Sequence, residues 1–381
     1  MWQETRQIRQ RFISVHSIVL LLTVFLLPVI ARGEEQAPAL SAELRQLIHK
    51  VKQNEALYQS LKLKMKMTEI DHAELIQYDG PKPIERHSTI SLIRQGEKFR
   101  QQIQTKGRYV MTFSLGLYWL QDGYRATDPA GTHENETWIQ VESGTKEKLT
   151  LFDGTTFRSF WEESMTAEGK EEPSRRSKRG LISNSPSGTL NQISPHRFLF
   201  EPEQLPAPLS SYLTGKKAVQ AHTDQFVANT RIIETGKATV QGLNCITLRI
   251  ETLDSSGKPR SRTDLWLAQD RNLIPLRREY FIYHVSKELP VSESVVDRWQ
   301  EIQPGIWFPC QVHTNQYYAR MGKRVPSQKP SMHKEYTLES IELNPQLPSD
   351  VFTKLDFAPG TPVTVVSDRR LVKRYRQGEE K

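Results

Sequence analysis

The chain has 381 residues, enough for a large hydrophobic core, and its 52 Lys and Arg against 44 Asp and Glu give a formal net charge of +8. Its only cysteines, Cys245 and Cys310, are too few for a disulfide-stapled scaffold. The basic clusters lack the interleaved aromatic residues that are typical of nucleic-acid-binding surfaces, so we expect no nucleic-acid partner.

The N-terminal segment has the pattern of an export signal. Three arginines in the first 12 residues precede an apolar run at 18–30, and the small residue Gly33 follows. A basic start, an apolar core and a small-residue exit are typical of a secretory signal peptide. An uncleaved anchor is the alternative, because a run counted from Phe12 approaches the ~20 residues of a spanning helix. We therefore predict export, with residues 1–33 as a signal peptide or an N-terminal anchor.

The next expected elements are a helix and a strand. Apolar residues recur at helical spacing over 40–58, and Ser41 is the candidate N-cap. Over 61–67, leucine and methionine alternate strictly with lysine, which predicts a strand with one apolar face.

Strand candidates then follow along the whole chain, separated by turn residues. Short connections favour antiparallel pairing, so the pattern predicts an α+β protein, mainly β, with an antiparallel meander. The candidates are 88–93, 98–105, 109–112, 117–120, 137–141, 149–152, 231–235, 244–253, 262–268, 276–285, 294–302, 305–318 and 335–343.

Two charged segments interrupt this pattern. Residues 164–194 are rich in Glu, Ser, Lys, Arg and Gly, which predicts a disordered insertion, and a helical region is expected at 203–219. Residues 367–381 form a basic C-terminal tail, for which a solvated, flexible chain is the favoured interpretation. Contact with an acidic membrane surface is the alternative for the tail.

A search for catalytic and cofactor motifs finds none. Nucleophile-elbow, zincin, P-loop and dinucleotide-binding patterns are absent from the sequence. His284 and His313 lie in predicted strands and are better explained as ordinary strand residues than as metal ligands. We therefore expect no enzymatic activity, no cofactor and no metal. A hydrolase whose site is assembled from isolated residues is a less favoured alternative.

The apolar strand faces are the strongest candidate for a binding site. Flexible methionine side chains suit variable apolar partners. Cys245 and Cys310 could form a disulfide in an oxidising compartment or pack as buried thiols. The residues that alternation places inward, where they would line an apolar cavity or pack as ordinary core, are Leu63, Met65, Met67, Ile246, Leu248, Ile250, Phe308 and Val312.

The order of these elements resembles the LolA-like superfamily of bacterial envelope proteins, which includes the carrier LolA, the receptor LolB and the regulator RseB. The matching motifs are the helix and strand at 40–67, DLWLA at 264–268 with LIPLR at 273–277, and GIWFP at 305–309. The likeness covers about 41–110 and 229–366, within a domain placed at 34–366. In length, the chain resembles long exported variants of planctomycete type.

This resemblance implies a half-open antiparallel β-barrel wrapped around helices. It also implies an apolar cavity that binds the acyl chain of a lipid or of a lipidated protein, in the periplasm or cell envelope. An envelope-sensing or scaffolding role that acts through protein contacts, as the RseB resemblance allows, is the alternative. The lid contacts of the true carriers cannot be placed on this chain residue by residue.

Overall fold

The computed structural model describes residues 41–72, 83–114, 137–184, 194–200, 208–214, 229–254, 256–317, 329–368 and 370–379. The export segment expected at 1–33 and the strand expected at 117–120 lie outside the described residues. The chain divides into two compact units, Met1–Gln46 and Leu47–Lys381. Of the first unit, the described residues 41–46 begin a helix, and the second unit contains the sheet.

Helix α1 covers Ala42–Ala56. The Ser41 hydroxyl accepts a hydrogen bond from the Leu44 N–H at 3.2 Å, which satisfies one of the free donors of the first turn and confirms the predicted N-cap. Two shorter helical elements occur later, a 3₁₀ helix at Pro195–Arg197 and helix α2 at Leu209–Leu213. Helix α2 lies inside the helical region expected at 203–219, of which residues 208–214 are described.

Fifteen strands make up the rest of the described secondary structure. They are β1 (Ser60–Asp71), β2 (Ile84–Gln95), β3 (Lys98–Ser114), β4 (Thr137–Phe152), β5 (Phe157–Ala167), β6 (Arg175–Ser183), β7 (Asn229–Val240), β8 (Leu243–Leu253), β9 (Pro259–Ala268), β10 (Ile274–Ile282), β11 (Ser292–Gln303), β12 (Ile306–Gln316), β13 (Met332–Leu343), β14 (Pro362–Ser367) and β15 (Arg370–Arg376).

These strands form one sheet in the order β15-β14-β6-β5-β4-β3-β2-β1-β13-β12-β11-β10-β9-β8-β7. The pairs are antiparallel except for β14 and β6, which run parallel. Strand β13 pairs with β1 and so joins the two halves of the chain; Leu63 and its partner Ile341 are 278 positions apart. The predicted α+β class, mainly β with one large open antiparallel sheet, is confirmed.

A β-hairpin occupies most of the stretch that composition predicts to be disordered. Strands β5 and β6 pair residue by residue from Phe157↔Ser183 to Met165↔Arg175. Cross-strand ion pairs hold the charged side chains, with Lys178 3.1 Å from Glu162 and Arg175 3.2 Å from Glu163. Opposite charges that face each other across strands stabilise a sheet without apolar burial. A prediction from composition alone does not detect this pairing.

The basic tail is also part of the sheet. Strand β15 pairs with β14, from Pro362↔Arg376 to Ser367↔Arg370, and most of its side chains are exposed. Leu371 and Val372 are 55% and 59% exposed. The tail is therefore an edge strand that presents basic and apolar side chains to solvent.

The core lies on one side of the sheet, which we call the inner face and define by Leu63 and Met65. A buried cluster covers this face of β1 to β4 and includes Tyr58 at the end of helix α1. A smaller cluster around Leu199, Cys245 and Val312 continues it toward the C-terminal half. The members of the first cluster are Tyr58, Leu61, Leu63, Met65, Ile90, Leu92, Phe99, Phe152, Phe157, Ile274 and Phe308.

Candidate functional site

An apolar strip on strand β13 is only partly covered, although β13 lies near the middle of the sheet. None of the β13 residues Met332–Leu343 is fully buried. Its inner side carries four apolar or aromatic residues that pack against the main cluster and stay half-exposed: Tyr336, Leu338, Ile341 and Leu343. We call these four residues the β13 strip. An antiparallel sheet can leave part of one face in contact with solvent, and this row is only partly covered.

Register places the β13 strip directly beside the apolar face of β1. Leu343 pairs with Leu61, and Ile341 pairs with Leu63. Cross-strand partners point to the same face, so the strip is continuous with the buried cluster. Further half-buried apolar residues pack at its border, namely Met67, Phe198, Trp299, Ile302 and Ile306. The Phe198 ring meets the Tyr336 ring edge-on, with centroids 5.1 Å apart. The strip is thus an extended, partly open apolar surface.

The structure distributes the predicted cavity residues over more than one environment. Leu63, Met65 and Phe308 lie together in the main cluster and are 2%, 1% and 0% exposed. Met67 is half-buried at the edge of that cluster, beside the strip.

The other predicted cavity residues lie in the C-terminal half. Val312 is buried in the smaller cluster, and Leu248 and Ile250 are buried on β8. Ile246 is half-buried. The predicted residues thus lie in the main cluster, in the smaller cluster and on β8, and Met67 is the member next to the β13 strip.

Both cysteines are free thiols in this structure. Cys245 is buried in the smaller cluster, while Cys310 is half-buried on β12. Burial raises the pKa of the Cys245 thiol, so this side chain packs as a small neutral hydrophobe.

Asn272 ties the end of helix α1 to the hairpins of the C-terminal half. Its backbone has φ of 55°, a left-handed conformation that asparagine tolerates. Its side-chain oxygen accepts hydrogen bonds from the Trp307 N–H at 2.8 Å and from the Tyr58 hydroxyl at 3.1 Å. The Tyr58 hydroxyl also lies 2.5 Å from the Trp307 carbonyl oxygen. We call this hydrogen-bonded group of Tyr58, Asn272 and Trp307 the node, and it fixes the position of Tyr58 in the cluster.

His196 attaches the 3₁₀ helix to the same node. Its Nε2 lies 2.9 Å from the Asn272 carbonyl oxygen, so Nε2 carries the proton and donates it. The ring is fully buried and contacts the Tyr58 ring edge-on at 5.8 Å. Burial lowers the pKa of His196 to about 4, and the imidazole is neutral at neutral pH. The 3₁₀ helix is thereby held against the inner face.

One arginine lies on the inner face beside the start of β1, and another lies in the 3₁₀ helix. Arg94 pairs with Leu61 and with Phe99, so its side chain is on the inner face. Arg197 lies in the 3₁₀ helix between His196 and Phe198. Burial and the positive charge of Arg94 lower the pKa of Arg197 to about 10, and burial lowers that of Arg94. Each guanidinium is therefore partly desolvated, and nearby charges also shift its pKa.

A network of charged residues lies at the opposite end of the β13 strip, near Met67. Two residues beyond Met67 on β1, the Glu69 carboxylate accepts a hydrogen bond from Arg86, and Arg86 also donates to Asp71. The Lys146 ammonium lies 4.0 Å from the centroid of the Tyr109 ring. Burial raises the pKa of Tyr109 to about 12. The β13 strip therefore runs from the carboxylate-paired Arg86 near Met67 to Arg94 beside Leu61.

A polar groove of about 590 Å³ crosses the opposite face of β1 to β5. Met67 points inward, so its neighbours Lys66 and Thr68 point outward. The register continues these two positions across the sheet as two rows, Lys66-Thr89-Gln104-Glu147-Glu162 and Thr68-His87-Lys106-Thr145-Ser164. The side chains of these two rows are polar and of mixed charge, and Met67, Ser88, Thr105 and Lys146 also line the groove.

Metal and membrane features were also sought in the described residues. There, no group of three or more His, Cys, Asp and Glu side chains could hold a metal ion. His313 lies 2.8 Å from an Asp297 oxygen and stacks on His333 at 6.1 Å. Within the same part of the chain, no helix is long and apolar enough to cross a membrane.

Sequence reasoning identified the apolar face of β1 but did not identify the residues at its borders. Arg94 and Arg197 are 103 positions apart, and no local motif links them. Asn272 lies between the predicted strands 262–268 and 276–285, yet its contacts with Tyr58 and Trp307 are long-range. Only the sheet register and the 3₁₀ helix bring these residues to one face.

No family model and no curated protein sequence matches the chain. Among solved structures, it is similar to a DUF1329 family protein from Desulfovibrio piger, with 15% identity, a TM-score of 0.38, and coverage of 81% of this chain and 96% of that one. It is also similar to an outer membrane lipoprotein-sorting protein domain from Vibrio parahaemolyticus, with 7% identity, a TM-score of 0.34, and coverage of 81% and 97%. The second is a protein of the kind that the LolA-like resemblance names. At these TM-scores neither likeness carries an argument about function.

Proposed function

We propose that this protein is a non-enzymatic component of the bacterial cell envelope that binds the acyl chain of a lipid or of a lipidated protein. The binding surface is the β13 strip together with Met67. The observation that carries the proposal is that β13, an interior strand, has a half-exposed apolar row beside a packed cluster. The export pattern at the N-terminus supports a location in the cell envelope.

The dimensions and chemistry of the strip suit an extended hydrocarbon chain. From Tyr336 to Leu343 the strand rises over seven residue steps, roughly 20 Å at ~3.3 Å per residue. Each methylene removed from water contributes about 0.8 kcal/mol, so a long chain covering the strip gains enough to bind reversibly. The packed residues Leu63, Met65 and Phe308 form the floor beside the strip, and the ligand does not need to displace them.

A lipid extraction tests the proposal first. The full chain is purified without detergent, extracted with organic solvent, and the extract is analysed by mass spectrometry for acyl species. We expect long-chain acyl compounds at a substantial fraction of the protein concentration. A protein that yields no acyl compound and also binds no fluorescent acyl probe would contradict the proposal.

A matched pair of variants then locates the binding surface. Leu338 is on the inner side of β13, while its neighbour Thr337 is exposed on the other side. Leu338→Asp should weaken acyl-probe binding at least tenfold, because a carboxylate beside the hydrocarbon must be desolvated. Thr337→Asp introduces the same charge in the same strand and should leave binding unchanged. Equal effects from the two variants would show that the strip does not bind the probe.

Envelope sensing through protein contacts is the second candidate. It is favoured by the exposed edge strand β15 and by Leu371 and Val372, which are more than half exposed. A pull-down with wild-type protein and with Leu371→Asp separates the two candidates. Loss of a protein partner with unchanged acyl binding supports sensing, whereas loss of acyl binding in Leu338→Asp with partners retained supports carriage.

A further inference from the structure

One register row of the inner face is apolar on β1 to β3 and cationic on β4 to β6. Met65 of the main cluster is joined through β2 to Ile103, and Ile103 pairs with Lys148. Lys148 then pairs with Trp161, and Trp161 pairs with Arg179. Cross-strand partners point to the same face, so two cations flank a tryptophan there. We call Lys148, Trp161 and Arg179 the cationic row.

The cationic row is open to solvent. Lys148 and Arg179 are exposed, and Trp161 is half-buried. The guanidinium carbon of Arg179 lies 4.3 Å from the centroid of the Trp161 ring, a cation–π contact. Among the described residues, no carboxylate lies within ion-pair distance of Lys148 or Arg179. Both charges therefore face solvent without an opposite charge from this part of the chain.

The opposite face of the same strands is built differently. There Lys178 lies directly across from Glu162, and the two side chains are 3.1 Å apart. Opposite charges across strands stabilise a sheet, whereas the cationic row has Trp161 where an acid would serve that purpose. Cross-strand ion pairing thus does not explain the two cations of the row.

The acids on the inner face of β4 to β6 are engaged by another base. They are Glu142 and Glu163, and Arg175 lies 3.5 Å from the first and 3.2 Å from the second. Lys146 instead lies 4.0 Å from the centroid of the Tyr109 ring. With the two cations of the row, the inner positions of β4 to β6 carry four bases against two acids, so this face has a net positive charge.

The spacing of the cations favours several separate negative charges over a single anion. Lys148 and Arg179 lie two strands apart in the sheet, which separates their backbones by about 10 Å. Lys146 is two residues from Lys148 on β4, or about 6.6 Å along the strand. An extended chain repeats its side chains on one face at the same interval of about 6.6 Å. A polypeptide with alternating acidic residues matches this arrangement.

We infer that the cationic row, together with Lys146, is a docking surface for an extended acidic segment of a partner protein. The carboxylates of the segment pair with the cations, and Trp161 supplies an aromatic contact between them. Tryptophan and arginine are enriched at protein interfaces, and arginine clusters bind acidic motifs. A flat membrane surface fits less well, because Trp161 is half-buried on an interior strand.

This docking surface does not depend on acyl binding. Strands β13 and β4 are four positions apart in the sheet, about 19 Å, and the buried residues of the main cluster lie between them. A ligand on the β13 strip and a segment on the cationic row therefore occupy separate surfaces.

Fluorescence anisotropy with the full-length protein tests the docking surface. The probe is a labelled peptide of about 12 residues in which Glu and Ser alternate, and the control peptide carries Gln in place of Glu and the same dye. We expect the acidic peptide to bind at least about tenfold more tightly at low salt, because three ion pairs each contribute a few-fold. The preference should fall as ionic strength rises, since exposed charges are screened.

Charge-reversal variants assign the preference to the row. Lys148→Glu and Arg179→Glu should each reduce it to about twofold or less, because an introduced carboxylate repels the peptide. Arg176→Glu is the matched control, since Arg176 is exposed on the opposite face of the same strand, and it should leave the preference unchanged. Circular dichroism melts and acyl-probe binding should match wild type in all three variants, which shows that they are folded.

Each outcome supports or overturns the acidic segment. Equal binding of the two peptides to wild type, or equal losses in Arg176→Glu and Arg179→Glu, would overturn the docking surface. Displacement of the acidic peptide by inorganic phosphate at the same concentration would assign the row to a single anion. Loss of binding to phosphatidylglycerol vesicles in Lys148→Glu would assign it to a lipid surface, and either result overturns the acidic segment. Wild-type protein that prefers the acidic peptide but binds no acyl probe would overturn the proposed function and leave the docking surface standing.

Discussion

Replacing Met65 by aspartate tests whether the inner face of β1 is packed core. Met65 is 1% exposed and belongs to the main cluster. Losing the buried methionine side chain costs about 1.5–3 kcal/mol. Placing an unpaired carboxylate there adds several kcal/mol more, because no described residue of this cluster is cationic. The sum, about 5 kcal/mol or more, is comparable to the whole stability of a typical domain.

Circular dichroism melts of wild type and variants provide the assay. Met65→Asp should lose the cooperative transition or melt far below wild type. Met67→Asp, at the half-buried edge of the same face, should stay folded, and Lys62→Asp on the opposite, exposed face should behave like wild type. A Met65→Asp protein that melts like wild type would refute the packing argument and would indicate that Met65 lines an open cavity.

Three further predictions follow from the node, the buried histidine and the edge strand. Tyr58→Phe should destabilise the protein by about 1–3 kcal/mol in urea titrations, because the Trp307 carbonyl loses its 2.5 Å donor; unchanged stability would contradict this. Burial lowers the pKa of His196 from 6.5 to about 4, so the stability contributed by the neutral ring is present above pH 6.5 and is lost as pH falls toward 4, by about 3 kcal/mol. Urea titrations at pH 7 and 4.5 should show this loss in wild type and a smaller one in His196→Gln. Strand β15 should bind anionic but not zwitterionic vesicles, with a strong salt dependence in sedimentation assays, and the double charge reversal Lys373→Glu and Arg374→Glu should abolish binding. Equal binding to neutral vesicles would contradict an electrostatic tail.

Local patterns predicted those parts of the fold in which burial follows alternation. Leu61, Leu63 and Met65 alternate with lysines, and the structure buries all three on one face. The N-cap at Ser41 was equally local, since one hydroxyl and one N–H three residues later suffice. These features depend on neighbours within a few residues, which a single sequence displays.

Features that depend on pairing between distant residues could not be predicted in the same way. Strand β6 and the turn before it have few apolar residues, and their charges are typical of disorder until Glu162 and Lys178 are placed opposite each other. The half-buried state of the β13 row depends on how distant segments pack against it, which no pattern within 332–343 encodes.

A photoreactive fatty-acid probe tests the central claim most directly. The full-length protein is irradiated with the probe, digested, and the labelled residues are mapped by mass spectrometry, with unlabelled fatty acid as competitor. We expect competed labelling within β13, at Tyr336, Leu338, Ile341 or Leu343, and at Met67. Competed labelling in the polar groove, at Thr89 or Gln104, or no competed labelling at all, would contradict acyl binding at the β13 strip.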